Sequence, residues 1–507
     1  MRGEQALKNL LCNVLLQVVV AVSGLVLPRF YLEVYGSTLN GMISSVTQFM
    51  SYLSLVEAGI SAATIVGLYG PLAEHNISDI NGVLAATKKF YNQTGQIYII
   101  LVLLLTILYP LLINGQVDSF TVRCIVFILS SSNLIDYLFL GKYRVLLSAD
   151  QKGYVIAITQ IVGTILNTVI SVIMIKTGFS IVSVKFLATL IYMLRSVYIY
   201  GYVKKNYPYL NLNVTPNTKA ISQRWAALVH QIAGVALNNT NLVIMTFFGG
   251  VNSLIEISIY TIYQMVANLL ITVISSISNA LGPSFGEVLY RKEEDTLRNA
   301  YSNFEFIFYI FLFIAYTCMG LLYIPFIRIY TCNITDGNYN QPLMAMLFTL
   351  IGIIQNIRIP GITLICAAGH YSNTRGRAIT EAVINIVLAL FLVGKYGTIG
   401  VLIATLFAFV YSMIHVLWYN NKYILTGTIR NTLIRLIRNI LITIVYSYFA
   451  SQVIAFDAIN GYLSWFITAI EIGVSFTTLI VCINLLFEKE QGVMIAKRMK
   501  GIINKKK

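Results

Sequence analysis

Apolar residues in this chain gather into runs about 20 residues long, the length that crosses a bilayer core at about 1.5 Å per residue. Fourteen such segments lie roughly at 10–28, 39–67, 91–113, 120–141, 154–175, 181–202, 223–248, 256–283, 303–328, 342–367, 378–394, 399–419, 437–456 and 463–487. The pattern predicts an all-α, polytopic membrane protein of about 14 transmembrane helices. The first segment follows a short polar start and ends in Pro28-Arg29 without a small-residue cleavage site. It is therefore expected to stay as a membrane helix, not to be removed as a signal peptide.

Polar positions inside these runs are few and periodic. Thr47, Ser51, Ser54, Glu57 and Ser61 share one face of segment 2, and Gln231, Gly234, Asn238 and Asn241 share one face of segment 7. Ser132, Asn133 and Asp136 line a face of segment 4, while Gln355 and Arg358 stand three apart in segment 10. Hydroxyls and amides at such places often serve as hydrogen-bonding glue between helices. A charge is different, because a guanidinium at mid-membrane depth costs about 2.5–3.5 kcal/mol on insertion scales. Arg358 therefore needs either a lined cavity or a buried ion pair, and Asp136 and Glu57 pose the same choice. Arg195, nearer a segment end, can snorkel to the interface. Arg29 at the outer end of segment 1 can snorkel or meet a phosphate.

Lys and Arg settle the orientation. With segments alternating across the bilayer, Arg29, Arg123, Lys176, Arg328 and Lys395 fall on one side, and Lys185, Arg195 and Arg358 fall within segments. All the remaining basic residues fall on the side that also holds both termini, which the positive-inside rule makes cytoplasmic. The basic tail EKEQGVMIAKRMKGIINKKK anchors the last segment or lies as an amphipathic helix on the inner leaflet.

Composition narrows the function classes. Of 507 residues, 57% are hydrophobic and 11% charged, with a mean hydropathy of +0.76, which no soluble domain matches. The net charge of +15 belongs to membrane topology, so no nucleic-acid partner is expected. Cys12, Cys124, Cys318, Cys332, Cys366 and Cys482 are scattered without metal spacing, and the four His lack an HExxH pair, so no metal site is expected. The absence of a G-x-x-x-x-G-K-[ST] loop excludes ATP-driven transport by this chain. No cofactor is expected, although coupling to H+ or Na+ stays open.

The chain also repeats itself. The stretch from Ala149 to about Tyr207 matches that from Ala367 to Tyr423, pairing Asn167 with Asn385 and Gly178 with Gly397. A six-segment repeat returns to the same side, so the copies are parallel, related by an axis along the membrane normal. The expected organisation is an N-lobe (1–205), a C-lobe (206–425) and an appended pair with the basic tail (426–507), the two lobes flanking a central cleft. Segments 4 and 10 are then counterparts, which sets Asp136 and Arg358 at similar depth.

The stretch VLPRFYLEVYGSTLNGMISSVTQFMSYLSLVEAGISAATIVGLYGPLAEHN resembles the first two helices of the bacterial polysaccharide transporter family. These are Wzx-type flippases of lipid-linked oligosaccharides, within the multidrug/oligosaccharidyl-lipid/polysaccharide exporter superfamily. GGVNSLIEISIYTIYQM, IRIPGITLICAAGHYSNTRGRAITEAVINIVLAL and YGTIGVLIATL are similar to its second-lobe patterns. The resemblance implies a cationic cleft lined by helices 1, 2, 4, 7, 8 and 10. That cleft would turn an undecaprenyl-diphosphate-linked oligosaccharide from the inner to the outer leaflet of the bacterial cytoplasmic membrane by alternating access. Helices 13 and 14 would take the lipid tail, and membrane lipids, a polymerase and glycosyltransferases are the partners it suggests. Asn241 departs from the family, whose members often carry an acid there, leaving Glu57 and Asp136 as ion-coupling candidates. The expected cargo site comprises Arg29, Asp136, Asn238, Asn241, Gln355 and Arg358. Two rivals stand beside this reading: a drug/cation exporter of the same superfamily, which would favour acids in the cleft, and a membrane polymerase or ligase, which would need catalytic external loops. The chain is expected not to be an enzyme.

Overall fold

A computed structural model of the protein describes residues 2–57, 59–221, 235, 240–290, 294–370, 373–425, 429–489 and 491. Among the described residues the regular elements are helical, and no strand occurs. In chain order they are α1 (Arg2–Leu53), a 3-10 turn (Ser54–Glu57), α2 (Ile60–Ala73), α3 (Ile77–Leu112), α4 (Ser119–Ile135), a π turn (Asp136–Leu140), α5 (Gly141–Ala149), α6 (Gly153–Lys176) and α7 (Ile181–Asn206). There follow α8 (240–248), α9 (Ser253–Tyr290), α10 (Glu294–Tyr330), α11 (Pro342–Ile357), α12 (Ile359–Ala367), α13 (Arg375–Tyr423), α14 (Arg430–Val453) and α15 (Tyr462–Phe487).

Among the described residues, eleven helical stretches are long and apolar enough to cross a membrane, the architecture of a polytopic membrane protein. Two of them each hold two of the expected segments. Leu7–Glu57 bends at Gly36 (φ 81°) and Arg375–Tyr423 at Gly397 (φ 53°). Gly178 and Gly397, paired by the sequence repeat, both sit at positive φ, where a Cβ would be strained. The expected segment 7 lies mostly outside the described residues, and so do Gln231, Gly234, Asn238 and tail residues 492–507.

Two expectations need correction. The spacing predicts segment 2 as one helix with an unbroken polar face, but the chain leaves α-geometry after Leu53 and restarts at Ile60, with Gly59 left-handed. Hydroxyl back-bonding accompanies the break, which ends at the left-handed Gly59. Thr47 Oγ1 donates to Ile43 O, Ser51 Oγ to Thr47 O and Ser54 Oγ to Ser51 O, and such back-bonding competes with the helical ladder. Segment 4 runs on to Ala149 as one helical stretch, so Arg144, expected in a cytoplasmic loop, stands on a helix instead.

The chain divides into two compact units. The first comprises Met1–Thr261 with Asn333–Gly337, the second Ile262–Cys332 with Asn338–Lys507. Both expose large apolar side chains outward and bury some polar groups among a mostly apolar interior. Leu111, Phe391 and Val453 are exposed, whereas Ser45, Asn356, Glu381 and Asn439 are buried. In the first unit α1 packs along α6, with Ser23 Oγ 2.6 Å from Thr168 Oγ1. Gly41 lets α1 touch the start of α9, since a Cβ there would overlap Leu254 O, and Asn40 Nδ2 donates to Ser258 Oγ at 2.9 Å. Beyond the Gly36 bend, Asp336 accepts from Ser37 N and Oγ, both at 2.6 Å.

In the second unit α10 is the hub, packed against α11, α14 and α15. Arg435 of α14 joins Glu305 of α10 at 3.0 Å and Glu488, just past α15, at 2.6 Å, and Arg438 reaches Glu488 at 2.6 Å. Burial pushes the Glu488 carboxyl up, but the bonds and charges of Arg435 and Arg438 outweigh it and hold the group below the usual carboxylate range. A depressed carboxylate contributes stability above its unfolded pKa of about 4.3 and loses it as pH falls through the folded value. The melting temperature of detergent-purified wild type should therefore exceed that of Glu488→Gln at pH 7, and the gap should close as the pH drops below about 4.3. A gap that is independent of pH would rule out ionisation of Glu488 as the source.

Candidate functional site

Arg358 sits where α11 gives way to α12. Pro360 has no N–H and cannot continue the ladder, so the helix breaks one turn earlier. Side chains take up the carbonyls near the break: Arg358 Nε donates to Gln355 O at 3.2 Å and Tyr309 Oη to Ile357 O at 3.2 Å. Gly361 admits α13, since a Cβ there would lie 2.5 Å from Val416 and 2.4 Å from Asn420.

The Arg358 guanidinium is buried against that helix. It bonds Glu381 Oε1 and, at 2.6 Å, Ser412 Oγ, with its carbon 4.3 Å from the centre of the Phe409 ring. Arg377, one turn before Glu381, bonds Glu381 Oε2 at 2.7 Å and also reaches Ser412. Two guanidiniums thus share a single carboxylate that is 1% exposed. The cluster carries a formal charge of +1, and Arg377 Nε is buried with no hydrogen-bond partner. Buried positive charge with an unused donor can bind an anion, and the fork of Arg suits phosphate.

The first unit holds a second ion cluster. Asp136 begins the π turn that joins α4 to α5, a geometry that recurs at functional sites. Its Oδ2 bonds Arg144 Nη2 at 2.8 Å, while its Oδ1 is buried without a partner. Glu57, in the 3-10 turn, accepts from Tyr91 Oη at 2.8 Å, and Tyr91 also meets Ser61 Oγ at 3.1 Å. Glu57 lies within electrostatic reach of both Asp136 and Arg144. Tyr137 stacks on Tyr91 and meets Tyr98 edge-on, and Asn133 donates to Tyr98 Oη at 3.0 Å. Two carboxylates face Arg144 here, and Arg195 also lies within electrostatic reach of Asp136.

These contacts replace a pairing between Asp136 and Arg358. Each finds a counter-ion in its own unit, Arg144 for Asp136 and Glu381 for Arg358, and each partner lies within eight to 23 residues along the chain. Of the other expected site residues, Gln355 offers its backbone carbonyl to Arg358. Asn241 is buried in the first unit and donates to Tyr260 Oη at 3.2 Å. Arg29 lies half-buried on α1 just after Pro28, and Asn238 is outside the described residues. Sequence reasoning does not anticipate Glu381, Arg377, Ser412, Arg144 or Tyr91. The i,i+4 spacing of Arg377 and Glu381 is the signal available for two of them. Among the described residues, no group of three or more His, Cys, Asp or Glu is placed to hold a metal ion.

No family model matches the sequence, and no curated protein matches it. Solved structures do share its fold. The lipid II flippase MurJ in an inward closed conformation superposes with a TM-score of 0.67 at 15% identity, covering 94% of this chain and 99% of that one. A multidrug resistance MATE family transporter of the MOP superfamily, inward-facing, gives 0.63 at 13% identity over 79% of this chain and 94% of its own. A mutant of the Vibrio cholerae MATE transporter VcmN gives 0.53 at 13% identity over 84% of this chain and 98% of its own.

If Glu381 is what allows two guanidiniums to be buried together, Glu381→Gln leaves both without a counter-charge. The loss should be about 3–5 kcal/mol, seen as a sharply lower melting temperature and poor recovery from the membrane, and an additional Arg377→Gln should restore part of it. A Glu381→Gln variant as stable as wild type would show that the carboxylate does not carry the cluster.

Proposed function

We propose that this chain is a flippase that moves an undecaprenyl-diphosphate-linked oligosaccharide from the inner to the outer leaflet of a bacterial cytoplasmic membrane, for surface polysaccharide synthesis. In this reading it has fourteen spans, as two six-helix lobes with an appended pair, and both termini are cytoplasmic. It works by alternating access beside glycosyltransferases and a polymerase. The observation that carries the reading is the surplus positive charge of Arg358 and Arg377 over Glu381, which a diphosphate would neutralise. Shared fold with a lipid II flippase at 15% identity supports a lipid-linked cargo.

The geometry makes Arg358→Ala informative. Arg377 still pairs with Glu381, so the remaining cluster is neutral and stable while its surplus charge is gone. Export of polysaccharide by cells relying on the variant should fall more than about tenfold, and Arg358→Lys, which keeps charge but not the fork, should retain part of it. Wild-type export by a correctly inserted Arg358→Ala protein would remove Arg358 from the cargo site.

The drug/cation exporter stands as a second reading because the first unit brings Glu57 and Asp136 together and MATE transporters share the fold. Under the flippase reading the same carboxylates couple transport to H+ or Na+. Glu57→Gln leaves the Asp136–Arg144 pair intact and keeps an acceptor for Tyr91. In proteoliposomes holding lipid-linked oligosaccharide, wild-type flipping should respond to an imposed H+ or Na+ gradient and the variant should lose that response. A gradient response that survives in Glu57→Gln would take the coupling role from Glu57.

A further inference from the structure

The first unit holds another basic site, distinct from the two clusters. Where α4, α6 and α7 meet, a cavity of about 220 Å³ is lined by Ser132, Thr164, Asn167, Lys185 and Arg195 among others. Among its lining residues there is no carboxylate. Lys185 and Arg195 each contact a ring, with Lys185 Nζ 4.2 Å from the centre of Tyr31 and the Arg195 guanidinium carbon 4.3 Å from that of Tyr192. Among the described residues, neither has a carboxylate within ion-pair distance. Asp136, the acid that senses Arg195, is bonded to Arg144. Arg195 Nε is buried with no hydrogen-bond partner. Its Nε therefore does not reach the interface, although the side chain as a whole is half-buried.

A second cavity adjoins the first. It measures about 520 Å³, shares Gly163, Ile191 and Arg195 with the polar one, and continues between α6 and α7 past Val162, Leu166 and Leu194 to Tyr198 and Tyr202. Its walls are apolar and open outward: Val162 is 51%, Leu194 70% and Tyr198 60% exposed, the face that meets acyl chains. From Asn167 to Tyr154 the groove follows α6 for thirteen residues, about 20 Å. Two cations and amide and hydroxyl groups at one end, joined to a 20 Å apolar trough at the other, match a phosphate headgroup with one hydrocarbon tail. The polar end lies toward Lys176 and Ile181, where α6 ends and α7 begins. The polar cavity reaches the middle of α6 and α7 at Asn167 and Arg195, and the trough runs from there to Tyr154 and Tyr202 at the opposite end of both helices, so a lipid headed at Lys185 would lay its chain past the bilayer centre.

We propose that this composite cavity is a binding site for one resident anionic phospholipid, its phosphate between Lys185 and Arg195 and one acyl chain along the α6–α7 groove. Basic pockets between membrane helices recognise anionic headgroups by this chemistry, and a neutral headgroup would leave the two cations uncompensated. The lipid would complete the packing of α4, α6 and α7 and make the unit's stability depend on membrane composition.

The test uses the full-length protein in detergent, with native mass spectrometry and melting temperature as readouts. Phosphatidylglycerol should remain bound to wild type at least roughly tenfold more than phosphatidylcholine, and should raise its melting temperature. Lys185→Gln with Arg195→Gln should abolish that preference. Gly163→Leu should exclude the chain with the charges intact, since a Cβ at Gly163 makes only an ordinary 3.6 Å contact with Arg195 Cδ. Excess inorganic phosphate should not displace the lipid. Equal retention of the two lipids by wild type, undiminished phosphatidylglycerol binding in either variant, or full displacement by free phosphate would each overturn the proposal. Should the double variant fail to fold, Gly163→Leu and the phosphate competition decide it on their own.

Discussion

Inside a bilayer a polar group has no water to fall back on, so every backbone amide and every charge must find its partner within the protein. The departures from plain α-helix in this chain follow that requirement. Where Pro360 ends α11, Tyr309 and Arg358 take up carbonyls at the break. At the other break, after Leu53, the serine and threonine hydroxyls bond the backbone and Tyr91 holds the carboxylate that the turn brings in. The buried tyrosines matter here for a simple reason. Each supplies apolar bulk together with one polar tip that can satisfy an orphaned oxygen.

The same requirement gives the two ion clusters their meaning. A structural ion pair in lipid should be even, one cation to one anion, because an unmatched charge is costly. The second unit's cluster is odd: Arg358 and Arg377 share Glu381, whereas Glu57 and Asp136 have Arg144 bonded to Asp136 and Arg195 within electrostatic reach of it. Excess charge of this kind is tolerated when a ligand completes it for part of a working cycle. Under the proposed reading an anionic cargo would complete the positive cluster.

Much of this is legible from the residues alone. Apolar run length locates the helices, because lipid selects strongly for it, and cost singles out Arg358, Asp136 and Glu57. What cannot be read is who pairs with whom. Glu381 lies in a segment whose apolar average hides it, and Arg144 reads as loop because hydropathy falls before the helix ends. In fact α4 and α5 run on together to Ala149. The break in segment 2 is hidden for another reason: its serines and threonines have a regular helical spacing, which gives no sign of the break before the left-handed Gly59.

Arg195 shows why average position is a poor guide to a charge in the membrane. By depth it could reach the interface, and snorkelling usually lowers the cost. Yet its stem lies against Gly163, its plane over Tyr192 and its Nε inside the protein. Gly163 is the enabling residue, since a larger side chain would close the junction between the polar and apolar cavities that Arg195 borders. A basic residue that forms no ion pair and borders an open apolar trough is stabilised well by an anion that arrives with its own hydrocarbon. The bilayer supplies such an anion at high local concentration. The feature that looks least functional by depth is therefore the one whose energetics depend most directly on the surrounding lipid.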